Sequence, residues 1–406
     1  MRVGTEGYCP RLVEKIEYAG GNEESFAAAS RALEQLAELP ISAKHVQRIT
    51  ERLGRERAAQ RDEAVSAFRA GTLKPAYAEP PAVAAVHVDA GKLQFRQDDG
   101  NRGVRAPHWG DAKVGCLQTY TAISGEEDPQ PNPPLLFLDP PKVMRLCREM
   151  ERVRGAPDAR EGTETTESAS RQEEESLALE RPQRLVRTAV ATTESTEGFG
   201  WMVAAEATQR GFDQAPKKAI VGDGGNWIGP LAELHFPGWV QVLDFLHLLV
   251  HLYAAATAAY RGNAKEAWAR YAQWLRWAWS GQVKEVIAGL EAEAQRLGHP
   301  PPQARADDPR RVVSLTLGYV RSNAHRMDYA RYRREGLPIT SAIVESLIKQ
   351  FNARVKGTEK FWITGGAEAV LQVRAAYLSE DDRATAFHDR RPRGRAAGRA
   401  RLKPAA

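Results

Sequence analysis

The residues best suited to chemistry are carboxylates that close or follow apolar runs. "VHVDAG" puts Asp89 on an apolar strand, "AIVGDGG" brings a short apolar strand to Asp223, and "SAIVESLIKQ" sets Glu345 among Ile343, Val344 and Leu347. A buried strand that ends in Asp-Gly-Gly lets the backbone turn away while the carboxylate stays at the mouth of the sheet. Carboxylates gathered there repel one another unless cations lie between them. An acid on a closely packed helix likewise needs a partner. A further aspartate, Asp244, follows "VQVL", with His247 one turn on in "DFLH". Read alone, such aspartates fit a helix cap, a nucleotide loop or one side of a metal site. The dinucleotide loop fits worst, because "GDGGNW" lacks the GxGxxG spacing and has Trp227 where the third glycine belongs.

The elements that must position these residues can be read from periodicity. Residues 9–72 are expected to be helical. In "ESFAAASRALEQLAEL", Phe26, Ala29, Leu33 and Leu36 recur at helical spacing. Pro40 ends that helix, and Ser42 can cap the next, in which Val46, Ile49 and Leu53 share a face. Two helices with a short turn suggest a helix-turn-helix, and Lys44, Arg48, Arg52, Arg55 and Arg57 make the second one basic. After a proline-rich linker the period becomes that of strands. "AVAAVHVDAGKLQFR" reads as two strands joined by a tight turn at Ala90-Gly91, and 113–123 as a third. "PKVMRLCREMERV" reads as a helix, and the glutamate-rich stretch 154–181 as a flexible acidic insertion. A helix over 197–212, a strand ending at Asp223, a helix near Pro230, a strand ending at Asp244 and a helix over "FLHLLVHLYAAATAAYRG" follow. From 263 to 335 the pattern is helical, with Trp268, Trp274, Trp277 and Trp279 as core, and a last helix runs over 340–356.

Three strands, then strands alternating with helices, imply a mixed sheet with right-handed parallel crossovers. This is the order of the ribonuclease H-like α/β fold. Its first strand is central, and its ligands sit at the carboxyl ends of the strands. The chain then divides into a helical region 1–74, a first core part 75–262, an all-α insertion 263–335, a second core part 336–380 and a basic disordered tail 381–406.

Composition narrows the class. The 406 residues carry 57 Lys/Arg against 52 Asp/Glu, a net charge of +5, with 42% hydrophobic residues. The tail "DRRPRGRAAGRARLKP" concentrates basic charge able to meet phosphates. Cys9, Cys116 and Cys147 have no metal-ligand spacing and suit a reducing compartment. No signal peptide and no apolar run long enough for a membrane span is seen, so a cytoplasmic, nucleoid-associated protein is expected.

Four blocks, "VHVDAGKLQFR", "VGDGGNWI", "HFPGWVQVLDFLHLLVHL" and "SAIVESLIKQFNARVKGTEKFW", the last followed by "AEAVLQVRAAYLS", together resemble the conserved blocks of bacterial insertion-sequence transposases. The nearest group is the ISKra type, within the Mutator-like DDE class. The resemblance spans most of 9–380 apart from the acidic insertion. It implies an Asp-Asp-Glu triad of Asp89, Asp223 and Glu345 binding two Mg²⁺ ions (Mn²⁺ as a substitute). "DFLH" matches that class's Asp-x-x-His signature, which makes Asp244 and His247 supporting residues. Two departures stand out: Ala90 follows Asp89 where glycine is more usual, and the first helical block starts so near Met1 that an upstream DNA-binding segment is expected to be missing.

The implied activity is metal-dependent cleavage and strand transfer of double-stranded DNA by a homodimer or higher assembly. Lys349, Arg354, Lys356 and Lys360, with Arg48 and Arg52, are candidate phosphate contacts. Trp362 is a candidate base-stacking residue, though its apolar setting also suits the core. The alternatives are a catalytically inactive DNA-binding descendant of a transposase and a general nuclease on the same fold.

Overall fold

The structure is a computed structural model; it describes residues 8–76, 79–96, 108–122, 125–154, 182–357 and 360–391. Three helices come first: α1 (Pro10–Asn22), α2 (Phe26–Ala37) and α3 (Ala43–Arg69). Ser25 and Ser42 cap α2 and α3 by accepting from the Ala28 and His45 amides. Ala29, Leu33, Val46, Ile49 and Leu53 are buried against Val13 and Ile16 of α1. Leu36, expected on the buried face, is 87% exposed. On α3 the side chains of Lys44, Arg48 and Arg55 face outward, whereas Arg57 is buried.

The sheet has five strands in the order β3-β2-β1-β4-β5. They are β1 (Val83–Phe95), β2 (His108–Tyr120), β3 (Arg184–Thr192), β4 (Lys217–Gly222) and β5 (Val240–Leu243). β1 runs antiparallel to β2 and parallel to β4, β2 antiparallel to β3, and β4 parallel to β5. The order is compatible with a ribonuclease H-like sheet.

Two expectations fail here. There is no turn at Ala90-Gly91: β1 continues through it, paired with β2 from Val83↔Tyr120 to Phe95↔His108. Gly91 lies under α12, where a Cβ would meet Ile348 at 3.5 Å and Asn352 at 3.7 Å, ordinary contact distances that do not demand glycine. The third antiparallel strand is β3, which periodicity alone did not reveal. It is an edge strand whose first residues, Arg184 and Leu185, are exposed, and only Thr188–Thr192 is buried.

Helices cover the sheet on both sides. α4 (Pro140–Arg154) follows β2; α5 (Thr196–Gln209) precedes β4; α6 (Ile228–His235) links β4 to β5. One face of β1, with Ala84, Val86 and Val88, packs on Phe199, Val203 and Ile228 of α5 and α6. Val83 and Ala85 point the other way, towards α7 (Phe245–Ala259). The stretch expected to be all-helical contains α8 (Ala264–Trp279), α9 (Val283–Leu297), α10 (Pro309–Asn323) and α11 (Tyr329–Arg334). Trp274 and Trp279 are fully buried there, with Trp268 and Trp277 packed on them in part.

α12 (Ala342–Val355) and α13 (Thr364–Leu378) cover the far half of β1 and β2. The helix α14 (Arg383–Arg390) stands where a disordered tail was expected, held by Phe387 in the N-terminal helical cluster. The remainder of the tail, 392–406, and the acidic insertion beyond 154 lie outside the described residues. The three cysteines are free thiols. Among the described residues no helix is long and apolar enough to cross a membrane.

The crossing of α3 and α13 depends on Gly54, where a Cβ would lie 2.0 Å from the Ala369 carbonyl oxygen. The better helix propensity of alanine is worth about 1 kcal/mol, but the clash is with backbone and cannot be relieved by a rotamer. Gly54→Ala should therefore destabilise by roughly 1–3 kcal/mol. Gly318→Ala on α10, where nothing lies within 4 Å, should be neutral or slightly stabilising. Urea unfolding of the two variants checks the contrast, and equal stabilities would refute the tight crossing.

Candidate metal centre

The middle of β1, the ends of β4 and β5 and one helix start build the site. Asp89 extends from β1 on the same face as Val83 and Ala85, and Asp223 follows the last residue of β4. Because Val88 pairs with Gly222 in parallel register, the two aspartates are level with each other on neighbouring strands. Alternation along β4 sends Asp223 to the same side as Ala219 and Val221, which is the α7 side. The Ala90 amide donates to Asp89 Oδ1 at 2.7 Å, and the Gly225 amide to Asp223 Oδ1 at 2.8 Å. Gly224 has φ +81°, a conformation that suits glycine and lets the chain leave the strand just after the carboxylate.

Asp244 prolongs the parallel ladder, its amide donating to the Gly222 carbonyl at 2.8 Å. It then caps α7 by accepting from the Leu246 amide. It is fully buried, and its Oδ2 lies 2.5 Å from His247 Nδ1 and 2.5 Å from the Ser341 hydroxyl. The Phe245 amide donates to the Ile339 carbonyl and so brings the chain before α12 onto the start of α7. Glu345, in the first turn of α12, thereby arrives beside His247, with Oε1 3.8 Å from Nδ1. Ligand atoms of Asp244, His247 and Glu345 all lie within 4.8 Å of one another.

The electrostatics bind the five residues into one site. Burial, then the neighbouring Asp223 charge, raises the Asp89 carboxyl to about 6. Burial, then Asp244, raises Glu345 to about 7, with Asp89 adding to the rise and His247 and Lys349 opposing it. Burial would also raise Asp244, but the charge and hydrogen bond of His247, with those from Ser341 and the Leu246 amide, hold it below the usual carboxylate range. Glu345 Oε1 is buried and has no hydrogen-bond partner among the described residues. The residues named as one triad thus sit in two adjacent parts. Asp89 and Asp223 pair on the sheet, and Glu345 groups with Asp244 and His247. Asp244 is more than a cap, because it fixes both the histidine and the segment that delivers Glu345.

The candidate phosphate contacts divide sharply. Lys349 is exposed one turn beyond Glu345, and Lys356 is half-buried just past α12. Arg354 is not a surface group: it is 2% exposed, and its Nε donates to the Gly20 carbonyl at 2.9 Å. Its guanidinium lies 4.4 Å from the Phe26 ring centre, and burial followed by the Arg374 charge pushes it down to about 10. Lys360 Nζ donates to the carbonyls of Ala353 and Arg354, closing the end of α12. Trp362 packs inside, its Nε1 donating to the Val355 carbonyl. Arg48 is exposed beside His45, and Arg52 lies 3.8 Å from Glu56.

Sequence reasoning passed over Ser341, Tyr319 and His87. The last is fully buried two positions before Asp89, contacts the Tyr120 hydroxyl, and is pushed down to about 4 by burial in spite of Asp244. The alternation of β1 puts His87 on the Asp89 face, which was a usable signal; Ser341 and Tyr319 gave none locally. Compared with protein-family models and with curated proteins, the chain matches none.

Proposed function

We propose that this chain is a metal-dependent polynucleotidyl transferase, a DDE-type transposase that cuts double-stranded DNA and joins the freed 3′ end to a target. The observation that carries the reading is the buried Glu345 Oε1, which accepts no hydrogen bond among the described residues and lies 3.8 Å from His247 Nδ1 in a group with Asp244, beside Asp89 and Asp223 on neighbouring strands. Oxygen donors from carboxylates suit a hard divalent cation. Buried acids raised above their usual range are costly to ionise without one. These carboxylates suit Mg²⁺, which Asp89 and Asp223 would hold from the sheet and Glu345 from α12, where Glu345 forms the closer donor group with Asp244 and His247.

When bound, the metal supplies Lewis-acid activation of the attacking oxygen and charge neutralisation at the leaving oxygen. The protein's own part is positioning. Asp244 fixes the His247 ring through Nδ1, and Ser341 anchors the start of α12 to the same carboxylate. Lys349 and Arg48 are exposed and would meet phosphates in this reading, whereas Arg52 has its Nε and Nη2 buried on α3. The ribonuclease H-like topology, the helix-turn-helix role of α2 and α3, the insertion status of 263–335 and assembly as a dimer belong to the same proposal.

The test uses the purified chain, Mg²⁺, and a plasmid carrying the DNA that flanks its coding region. Nicks at fixed flanking positions, joined products and loss of both with EDTA are the expected result. Cleavage without joining would make it a nuclease. Retained DNA binding with no cleavage in Mg²⁺ or Mn²⁺ would make it an inactive DNA-binding descendant.

A further inference from the structure

The helical stretch between α7 and α12 is tied to the acidic site by phenol hydroxyls. Tyr319 on α10 donates to the Asp223 main-chain carbonyl at 2.6 Å, Tyr329 to the Leu243 carbonyl at 3.0 Å, and Tyr332 to the Gln241 carbonyl at 3.2 Å. Of these carbonyls only that of Asp223 belongs to a residue of the proposed metal centre. The Tyr319 ring does more than donate. It closes over Gly224, where a Cβ would meet Tyr319 Cε2 and Oη at 2.9 Å and Leu243 Cδ1 at 2.8 Å. It also stacks on His251, with ring centres 4.0 Å apart and planes 26° from parallel. His251 lies one turn beyond His247 on α7, so the stack links the Asp223 turn to the helix that carries the histidine.

We infer that Tyr319 is a positioning residue for Asp223, fixing the Asp223-Gly224-Gly225 turn so that its carboxylate is presented to a divalent cation. The inference rests on the metal centre proposed above. The turn has two glycines in succession, one at positive φ, and glycine has the most backbone freedom to lose. Without the Tyr319 bond and ring the turn would populate conformers whose carboxylate points elsewhere. A site whose competent state is only partly populated binds with affinity reduced by that fraction. Tyr332 supplies a matched control, since its hydroxyl makes the same kind of bond from the same stretch but to a carbonyl within β5.

The experiment compares wild type, Tyr319→Phe, Tyr332→Phe and Asp223→Asn as full chains, titrated with Mn²⁺ and followed by electron paramagnetic resonance, with urea unfolding alongside. Tyr319→Phe should weaken Mn²⁺ binding about fivefold, the size of one lost neutral hydrogen bond, and Asp223→Asn should weaken it further. Tyr332→Phe should bind Mn²⁺ as wild type does, although both tyrosine variants lose similar stability. Wild-type affinity in Tyr319→Phe, or equal weakening in both tyrosine variants, overturns the inference and leaves the metal centre standing. A wild type that binds no Mn²⁺ overturns the metal centre and the inference with it.

Discussion

Asp223→Asn is expected to lower Mg²⁺-dependent DNA cleavage by about a thousandfold or more while DNA binding persists. The substitution is nearly isosteric. Asparagine Oδ1 can still accept from the Gly225 amide, so the turn that now holds Asp223 Oδ1 at 2.8 Å should survive. What disappears is one negative charge at the proposed metal centre, where a bound metal would supply several kcal/mol of transition-state stabilisation. A loss of about 4 kcal/mol is about three orders of magnitude in rate. The stability effect has the opposite sign. The Asp223 charge is one reason Asp89 is held up at about 6. Removing it relieves a repulsion between neighbouring carboxylates, so in EDTA near neutral pH the variant should be at least as stable as wild type. Cleavage assays, gel-shift binding and urea unfolding in EDTA separate the three quantities. Wild-type cleavage rates would remove Asp223 from the centre. Lost binding together with lost stability would mean that the residue is structural.

The half of the sheet that carries the candidate metal centre was legible because buried strands announce themselves. "AVAAVHVD", "AIVGD" and "VQVLD" are apolar runs that end in aspartate, and each aspartate is found at or just past a strand on the α7 side or the ladder beside it. Caps were legible too, as Ser42 and Asp244 show. Other features were not. Gly91 read as a turn because glycine usually punctuates strands, yet β1 runs through it in unbroken pairing with β2. β3 was hidden because Arg184 and Arg187 interrupt its outer half, where Leu185 faces solvent, and mask the alternation.

Arg57 and Arg354 were read as surface charges from their type, although each falls on the apolar face of its helix, four residues after Leu53 and three after Phe351. Their partners, Glu17 and the Gly20 carbonyl, lie on another element, so no local pattern foretold that the charges would be satisfied inside. For the same reason the site appeared in sequence as one triad. The sharing of Asp244 between His247 and Ser341 depends on a contact between α7 and the start of α12 that spacing alone does not encode.

Glu17→Gln should cost about 3–5 kcal/mol of stability at neutral pH, the usual consequence of removing one partner from a buried ion pair. Glu17 is fully buried on α1, and Arg57 of α3 grips it with Nε at 2.9 Å and Nη2 at 3.0 Å. His388 of α14 lies 2.7 Å from Oε2, and the Tyr377 hydroxyl of α13 donates to the same oxygen. Four helices therefore meet on one carboxylate, and the Arg57 guanidinium also sits 3.8 Å above the Phe387 ring. Glutamine keeps the shape but leaves Arg57, only 9% exposed, without a counter-charge. Replacing both partners, as in Glu17→Leu with Arg57→Met, should recover most of the loss, since no uncompensated charge then remains.

The pH dependence has a definite sign. Burial alone would raise Glu17, but hydrogen bonds and charges from His388 and Arg57 hold it below its ordinary value of 4.5. Its contribution is thus fully present above that value and is lost as pH falls through the lower, folded-state one. The stability gap between wild type and Glu17→Gln should be widest near neutrality and narrow progressively below pH 4.5. Urea titrations of the two proteins across that range measure it. A gap under about 1 kcal/mol at pH 7 would place the cluster with weak surface pairs and would mean that α14 is not anchored through Glu17.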